Sequence, residues 1–367
     1  MNLVCEGLDL SEAVLKVSKA ISNKVANPIL EGIHLVAEDG TLTLSATDTE
    51  LAIEKKIKAD IKIEGETVVP GKFFSEFLKK LTSERIELVL SENNQLKIKY
   101  TDSETSIACF PSLEYPSFQK IDSNEYFALS KKNFKSLINK SIFAVAIDDS
   151  RPILKGVLLE VVEKEIKAVA LDGYRLALIK KPLSFTNISV SVIVPSKSLG
   201  EISRLLEDND DVVNIYIQKN YLMVDLGDTK IITKLLDGDF LNYNQIISSN
   251  YEATITINKE QFEDSLERAA LLSRVGQNNL VKFEIKENNL LISSNSELGT
   301  IKENVNIVLK GKDLSIAFNA RYFTEALRAS MDEFVKISFN NASSPCIVTP
   351  HEGEEFLYLI LPVRMIN

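Results

Sequence analysis

At 367 residues the chain exceeds one ordinary core, and its length suggests about two or three domains of ~100–150 residues each. With 45% hydrophobic and 26% charged residues it reads as a soluble globular protein, which excludes a disordered or fibrous chain. The formal net charge of −10 excludes a uniformly basic nucleic-acid binder, so any attraction for phosphate must come from uneven placement of charge.

The opening MNLVCEGLDLSEAVLKVSKA sets Glu6, Asp9 and Glu12 among apolar residues and lacks the pattern of a signal peptide. No apolar run approaches the ~18 residues that span a membrane, and a cytosolic location is expected. Cys5, Cys109 and Cys346 form no C-x-x-C pair and read as small core hydrophobes in a reducing compartment.

Leu10, Val14, Val17 and Ile21 then form a stripe at helical spacing. Alternating strands follow, such as Thr41 to Ala46 after the turn-prone Asp39-Gly40. A second, shorter helix carries Phe74, Phe77, Leu78 and Leu81, and Leu96, Ile98 and Tyr100 alternate beyond Asn93-Asn94. The series then begins again. Pro28-Ile29-Leu30-Glu31-Gly32 returns 124 residues later as Pro152-Ile153-Leu154-Lys155-Gly156, with weaker kin at Asn279-Leu280-Val281-Lys282-Phe283. Val68-Val69-Pro70-Gly71-Lys72-Phe73-Phe74 is echoed from Ile193 to Leu199 and again from Ala317 to Phe323. The long-helix stripes recur as Phe134, Leu137, Ile138 and Ile142, then Phe262, Leu266 and Ala269, with Ser130 and Asn258 where N-caps belong.

The expected fold is therefore α+β, with three tandem β-α-β-β-β-α-β-β-β domains at 1–121, 126–247 and 252–367. A sheet with helices on one face can continue through paired edge strands into the next unit. If the chain ends are complementary, two copies close head to tail into a six-domain ring with helices lining the hole. A string of three independent domains is the alternative.

Charge is polarised in this pattern. Counted over 10–24, 72–82, 131–143, 197–207, 259–274 and 321–331, the six predicted helices carry +8, which leaves −18 for the rest of the chain. Lys16 with Lys19, and Lys132 with Lys135, stand three apart and opposite the apolar stripes. Lys79, Lys80, Lys140, Lys197 and Arg204 extend the candidate DNA-facing set. Positive walls attract phosphate without reading bases, as a protein that slides requires. Lysine-rich faces that are simply solvated are the competing explanation.

Chemistry is not evident. Neither His34 nor His351 stands in a metal-binding spacing, and there is no G-x-G-x-x-G or P-loop. Glu207-Asp208-Asn209-Asp210-Asp211 lacks the glycine and terminal glutamate of an EF-hand, and Asp172-Gly173 reads as a tight turn. No catalytic residue, metal site or cofactor is expected, although an enzyme of unrecognised type stays open.

Together the three-unit plan, Asn27-Pro28-Ile29-Leu30, Val192 to Pro195, Leu171 to Ala177, Leu236-Asp237-Gly238-Asp239-Phe240 and Tyr358 to Arg364 resemble the beta subunit of bacterial DNA polymerase III over essentially the whole chain. The resemblance implies a homodimeric, non-catalytic sliding clamp that encircles double-stranded DNA without sequence preference. Its implied partners are the DNA polymerase III alpha subunit, an ATP-driven clamp loader, other polymerases and repair proteins, with no membrane. It also implies a groove that takes a short hydrophobic peptide. Residue by residue, that groove would comprise Leu154, Gly173, Tyr174, Arg175 and Leu176, then Leu241 and Ile246, then Asn319 and Tyr322. Ile360, Pro362, Val363, Arg364 and Met365 would complete it. Tyr174, Leu241 and Gln245 depart from the family's usual histidine, proline and arginine. The resemblance further points to Ile107, Leu271 and Leu272 at the dimer contact, where Thr105 replaces an aromatic. Lys24 matches a position that touches DNA, and Asp148 replaces a neutral contact residue. A three-domain scaffold that never closes on DNA is the competing binding function.

Overall fold

The computed structural model describes residues 1–21, 27–81, 84–118, 121–148, 150–248, 250–274 and 279–364. Six helices among them bear out the helical spacings: α1 (Gly7–Val17), α2 (Gly71–Leu78), α3 (Lys131–Ser141), α4 (Ser196–Leu205), α5 (Lys259–Ser273) and α6 (Ala320–Ala329). Asn258 caps α5, its side-chain oxygen accepting from the Gln261 N–H at 3.0 Å. None of these helices is long and apolar enough to cross a membrane.

By compactness the chain forms two units. The first comprises Met1–Ser130, Arg204–Glu207 and Asp211–Leu235. Its smaller sheet runs, neighbour to neighbour, Asp60–Ile63, Asn2–Glu6, Arg85–Leu90, Gln95–Tyr100 and Ser103–Ala108. In its larger sheet Thr229–Lys234 pairs antiparallel with Leu51–Lys58, Ile231 opposite Ile53. Asp39 and Gly40, both at positive φ (48° and 73°), close the hairpin from Gly32–Glu38 to Thr41–Thr47. That is the geometry for which Asp-Gly is favoured.

The second unit comprises Lys131–Ser203, Asp208–Asp210 and Leu236–Asn367. Arg175–Pro182 pairs with Phe356–Ile360, Ala177 opposite Tyr358, so here too strands from different repeats share one sheet. Phe262, Phe283, Phe318 and Phe323 pack between α5, α6 and this sheet with ring centroids 4.9–5.8 Å apart. All four are fully buried, and removing any one of such rings costs about 3–5 kcal/mol.

The first and second repeats each hold two strands more than the spacing suggested, and the third holds one more. Gly65–Pro70, Val190–Pro195 and Leu314–Asn319 each run directly into the second helix. Their sequences end in Pro70, Pro195 and Asn319, signals of a helix start, and the apolar residues before those signals are the ends of strands. Cys5 and Cys346 are buried in the core, and Cys109 is half-buried.

Candidate protein-docking groove and nucleic-acid interface

The turn that follows strand Glu165–Leu171 stands at one side of the candidate groove in the second unit. Asp172 Oδ1 accepts from the N–H groups of Tyr174 (2.9 Å) and Arg175 (3.0 Å). Gly173 sits at φ +92° with open space where a side chain would stand. The turn sends consecutive residues opposite ways. Tyr174 is 60% exposed and stacks on Tyr322, centroids 6.0 Å apart.

Arg175 is only 5% exposed. Its Nε donates to Asp172 Oδ2 at 3.1 Å, Nη2 donates to the Phe143 carbonyl at 2.6 Å, and Nη1 donates to Glu325. The guanidinium also lies 4.9 Å from the centre of the Tyr322 ring and 5.3 Å from that of Phe143. Burial pushes the Glu325 carboxyl up, but hydrogen bonds from Arg321 and Arg175 prevail and hold it below the usual carboxylate range. Arg175 is thus a strut that ties the second repeat to the third.

The groove floor is apolar. Leu154, Leu171, Leu176, Leu178, Tyr243 and Leu359 belong to one buried cluster, with Ile153, Leu236, Phe240 and Ile247 packed against it. Leu241 and Ile246 stay about half exposed beside this cluster. The backbone beyond strand Phe356–Ile360 supplies the other edge. Leu361 N–H donates to the Tyr174 carbonyl at 2.9 Å, and Val363 N–H to that of Ala317 at 2.8 Å. Pro362 and Val363 are half-buried and Arg364 is exposed. Asn319 is the cap of α6, accepting from Arg321 N–H at 3.0 Å.

Ile360 is a correction. Side chains alternate along a strand, and Tyr358 packs edge-on against Phe143 on the helix side of the sheet. Ile360 therefore faces the helices, while Leu359, which sequence reasoning missed, carries the floor. Phe356-Leu357-Tyr358-Leu359-Ile360 is apolar on both faces, so no alternation marks which residue points outward. Met365 lies outside the described residues.

The basic helix faces divide similarly. Lys19, Lys79, Lys80, Lys132, Lys197 and Arg204 are exposed, and Lys16 and Lys135 are half-buried. Lys24 lies outside the described residues. Lys140 departs from expectation: it is buried, its Nζ donates to Glu355 at 2.9 Å, and it sits 5.6 Å from the Phe356 ring. Three residues on from Leu137, it falls beside the apolar stripe of α3. Lys132→Ala should therefore make the log–log salt dependence of binding to linear duplex DNA shallower by about 0.9. Lys140→Ala should leave that slope unchanged and lower the melting temperature. Equal slope changes would return Lys140 to the DNA side.

Of the expected contact residues, Leu271 is exposed on the last turn of α5, Leu272 is half-buried, and Ile107 is buried within its own repeat. Among the described residues no cluster of His, Cys, Asp and Glu is placed to hold a metal ion.

Comparison with known proteins matches the chain to three family models in succession. They are the N-terminal domain of the DNA polymerase III beta subunit over residues 1–119, its central domain over 128–242 and its C-terminal domain over 244–364. A beta sliding clamp of Staphylococcus epidermidis is 32% identical over 356 residues, covering 94% of each chain. The crystal structure of a DNA polymerase sliding clamp from Bacillus subtilis superposes with a TM-score of 0.97 at 31% identity over 100% of both chains. That of the beta subunit from DNA polymerase of Streptococcus pyogenes gives 0.96 at 30% identity over 100% of both chains.

Proposed function

The chain belongs to the DNA polymerase III beta-subunit family, and from that premise we propose that it tethers polymerases to DNA as a closed ring of two copies. Each copy contributes three domains, taken as 1–121, 126–247 and 252–367. The single observation that carries the closure is a pair of unused strand edges. Within the chain, Leu51–Lys58 and Arg175–Pro182 each accept a strand from the following repeat. Their counterpart Gly299–Gly311 is paired over its first half with Asn289–Ser296 alone, and Ser103–Ala108 with Gln95–Tyr100 alone, among the described residues. Pairing the first of these edges with the second on another copy repeats a junction the chain already makes twice. Head-to-tail addition that turns through a fixed angle closes into a ring.

Inside such a ring exposed Lys132 on α3, Lys19 just beyond α1, and Lys79 and Lys80 just beyond α2 meet phosphate without base contacts, so the ring slides. A clamp loader driven by ATP opens it. The groove of Tyr174, Leu176, Leu241, Ile246 and Leu359 holds short apolar peptides of the DNA polymerase III alpha subunit, other polymerases and repair proteins. Burying two anchoring side chains is worth ~3–6 kcal/mol before ordering costs, which suits exchangeable clients of roughly micromolar affinity.

The groove is tested by fluorescence anisotropy with a labelled hexapeptide carrying a Leu and a Phe anchor. Saturable binding near ~10 μM, weakened about tenfold by Tyr174→Ala, is expected. Binding that is absent at ~1 mM, or indifferent to Tyr174→Ala, would move the docking site elsewhere.

A further inference from the structure

We propose that Phe73, backed by Phe77 and Tyr100, is the aromatic anchor by which one copy of this chain seats on Leu271 and Leu298 of the next. The proposal rests on the head-to-tail reading above and names side chains that carry it. Phe73 is 50% exposed on α2, whereas its neighbours Phe74 and Leu78 are buried on the core side. Its ring stacks on Phe77 with centroids 6.0 Å apart and planes at 12°, and Phe77 meets Tyr100 edge-on at 5.6 Å. Tyr100 ends strand Gln95–Tyr100, whose neighbour Ser103–Ala108 is the unused edge.

The internal repeat tells what such an aromatic does. One backbone hydrogen bond occurs three times: Phe110 N–H to the Val68 carbonyl, Leu236 N–H to that of Ile193, and Val363 N–H to that of Ala317. In that register Phe73 is the counterpart of Tyr322. Tyr322 already works at a closed junction, stacked on Tyr174 and on the Arg175 guanidinium of the preceding repeat. The turn that presents Tyr174 also recurs. Tyr174 N–H donates to Asp172, and Leu298 N–H donates to Ser296 Oγ at 3.2 Å, which makes Leu298 the counterpart of Tyr174. The buried pair Phe134 and Phe262 aligns α3 with α5, so Leu271 is the counterpart of Phe143, which packs on Arg175.

Tyr322 and Phe143 are half-buried at the closed junction, whereas their counterparts Phe73 and Leu271 are exposed at the free one. Leu298 is 73% exposed and Leu271 63% exposed. Aromatic bulk has also moved between elements. Thr105 stands where the third repeat has Tyr358, and Phe77 stands where it has Ala326. The first repeat thus carries on its helix the ring that the third carries on its strand. Both halves of the contact are in this one sequence, and this identifies the occupant as a second copy.

The test is sedimentation equilibrium of the full chain over nanomolar to micromolar concentration, with melting curves to confirm that each variant folds. Phe73→Ala should raise the dimer dissociation constant about 10–100-fold. Leu113→Ala, a fully exposed leucine elsewhere in the first unit, should leave it unchanged. Leu298→Ala combined with Phe73→Ala should cost less than the two effects multiplied, as expected of groups in contact. A dimer that Phe73→Ala leaves intact, or that weakens with no coupling to Leu298, overturns this anchor and leaves the head-to-tail reading standing. A wild-type chain that is monomeric at every concentration overturns that reading itself.

Discussion

Replacing Arg175 by alanine is expected to destabilise the second unit by about 3–5 kcal/mol, because it leaves buried acceptors without their cation. Arg175 contacts Asp172, Phe143, Tyr322 and Glu325 together. Those residues come from the second and third repeats, so losing the guanidinium removes charge compensation and packing at one junction. Arg175→Lys should recover little, since an ammonium cannot reproduce three directed donations and a stacked plane. Chemical unfolding measures the loss. A change below about 0.5 kcal/mol would mean that the network is incidental.

The sign of its pH dependence follows from Glu325. With a folded-state value held below the ordinary 4.5, its contribution is present above that value and is lost as pH falls through the lower folded one. Melting temperature should therefore decline more steeply on the acid side for the wild type than for Arg175→Ala. Arg321, whose Nε lies 2.7 Å from Glu325, keeps part of the effect in the variant.

Much of this organisation was legible in the chain because it is written three times. The helical stripes around Val14, Phe134 and Leu266 persist as α1, α3 and α5, since each buries one face on a sheet. What resisted reading depended on partners far away in sequence. Lys140 looks like its exposed neighbours until Glu355, 215 residues later, is brought against it. Ile360 and Leu359 are interchangeable in composition, and only strand pairing with Arg175–Pro182 decides which of them faces the groove. The strand Gly65–Pro70 hid behind its own helix-start signal. Arg175 was visible as part of a turn motif, but its role as a strut needed Glu325 and Phe143 in place.

Topology distinguishes a ring from an electrostatic binder, because counterion release weakens with salt and a closed circle does not. A charge contact through six to ten phosphates loses about 10³–10⁵ in affinity between 50 and 200 mM salt. The protein should be loaded by a clamp loader and ATP onto nicked circular duplex DNA, then passed through gel filtration in high salt before and after the circle is cut. A closed ring stays with circles through the salt and leaves once they are linear. Equal loss from both forms would contradict it, and the basic helices would then make only an ordinary electrostatic contact.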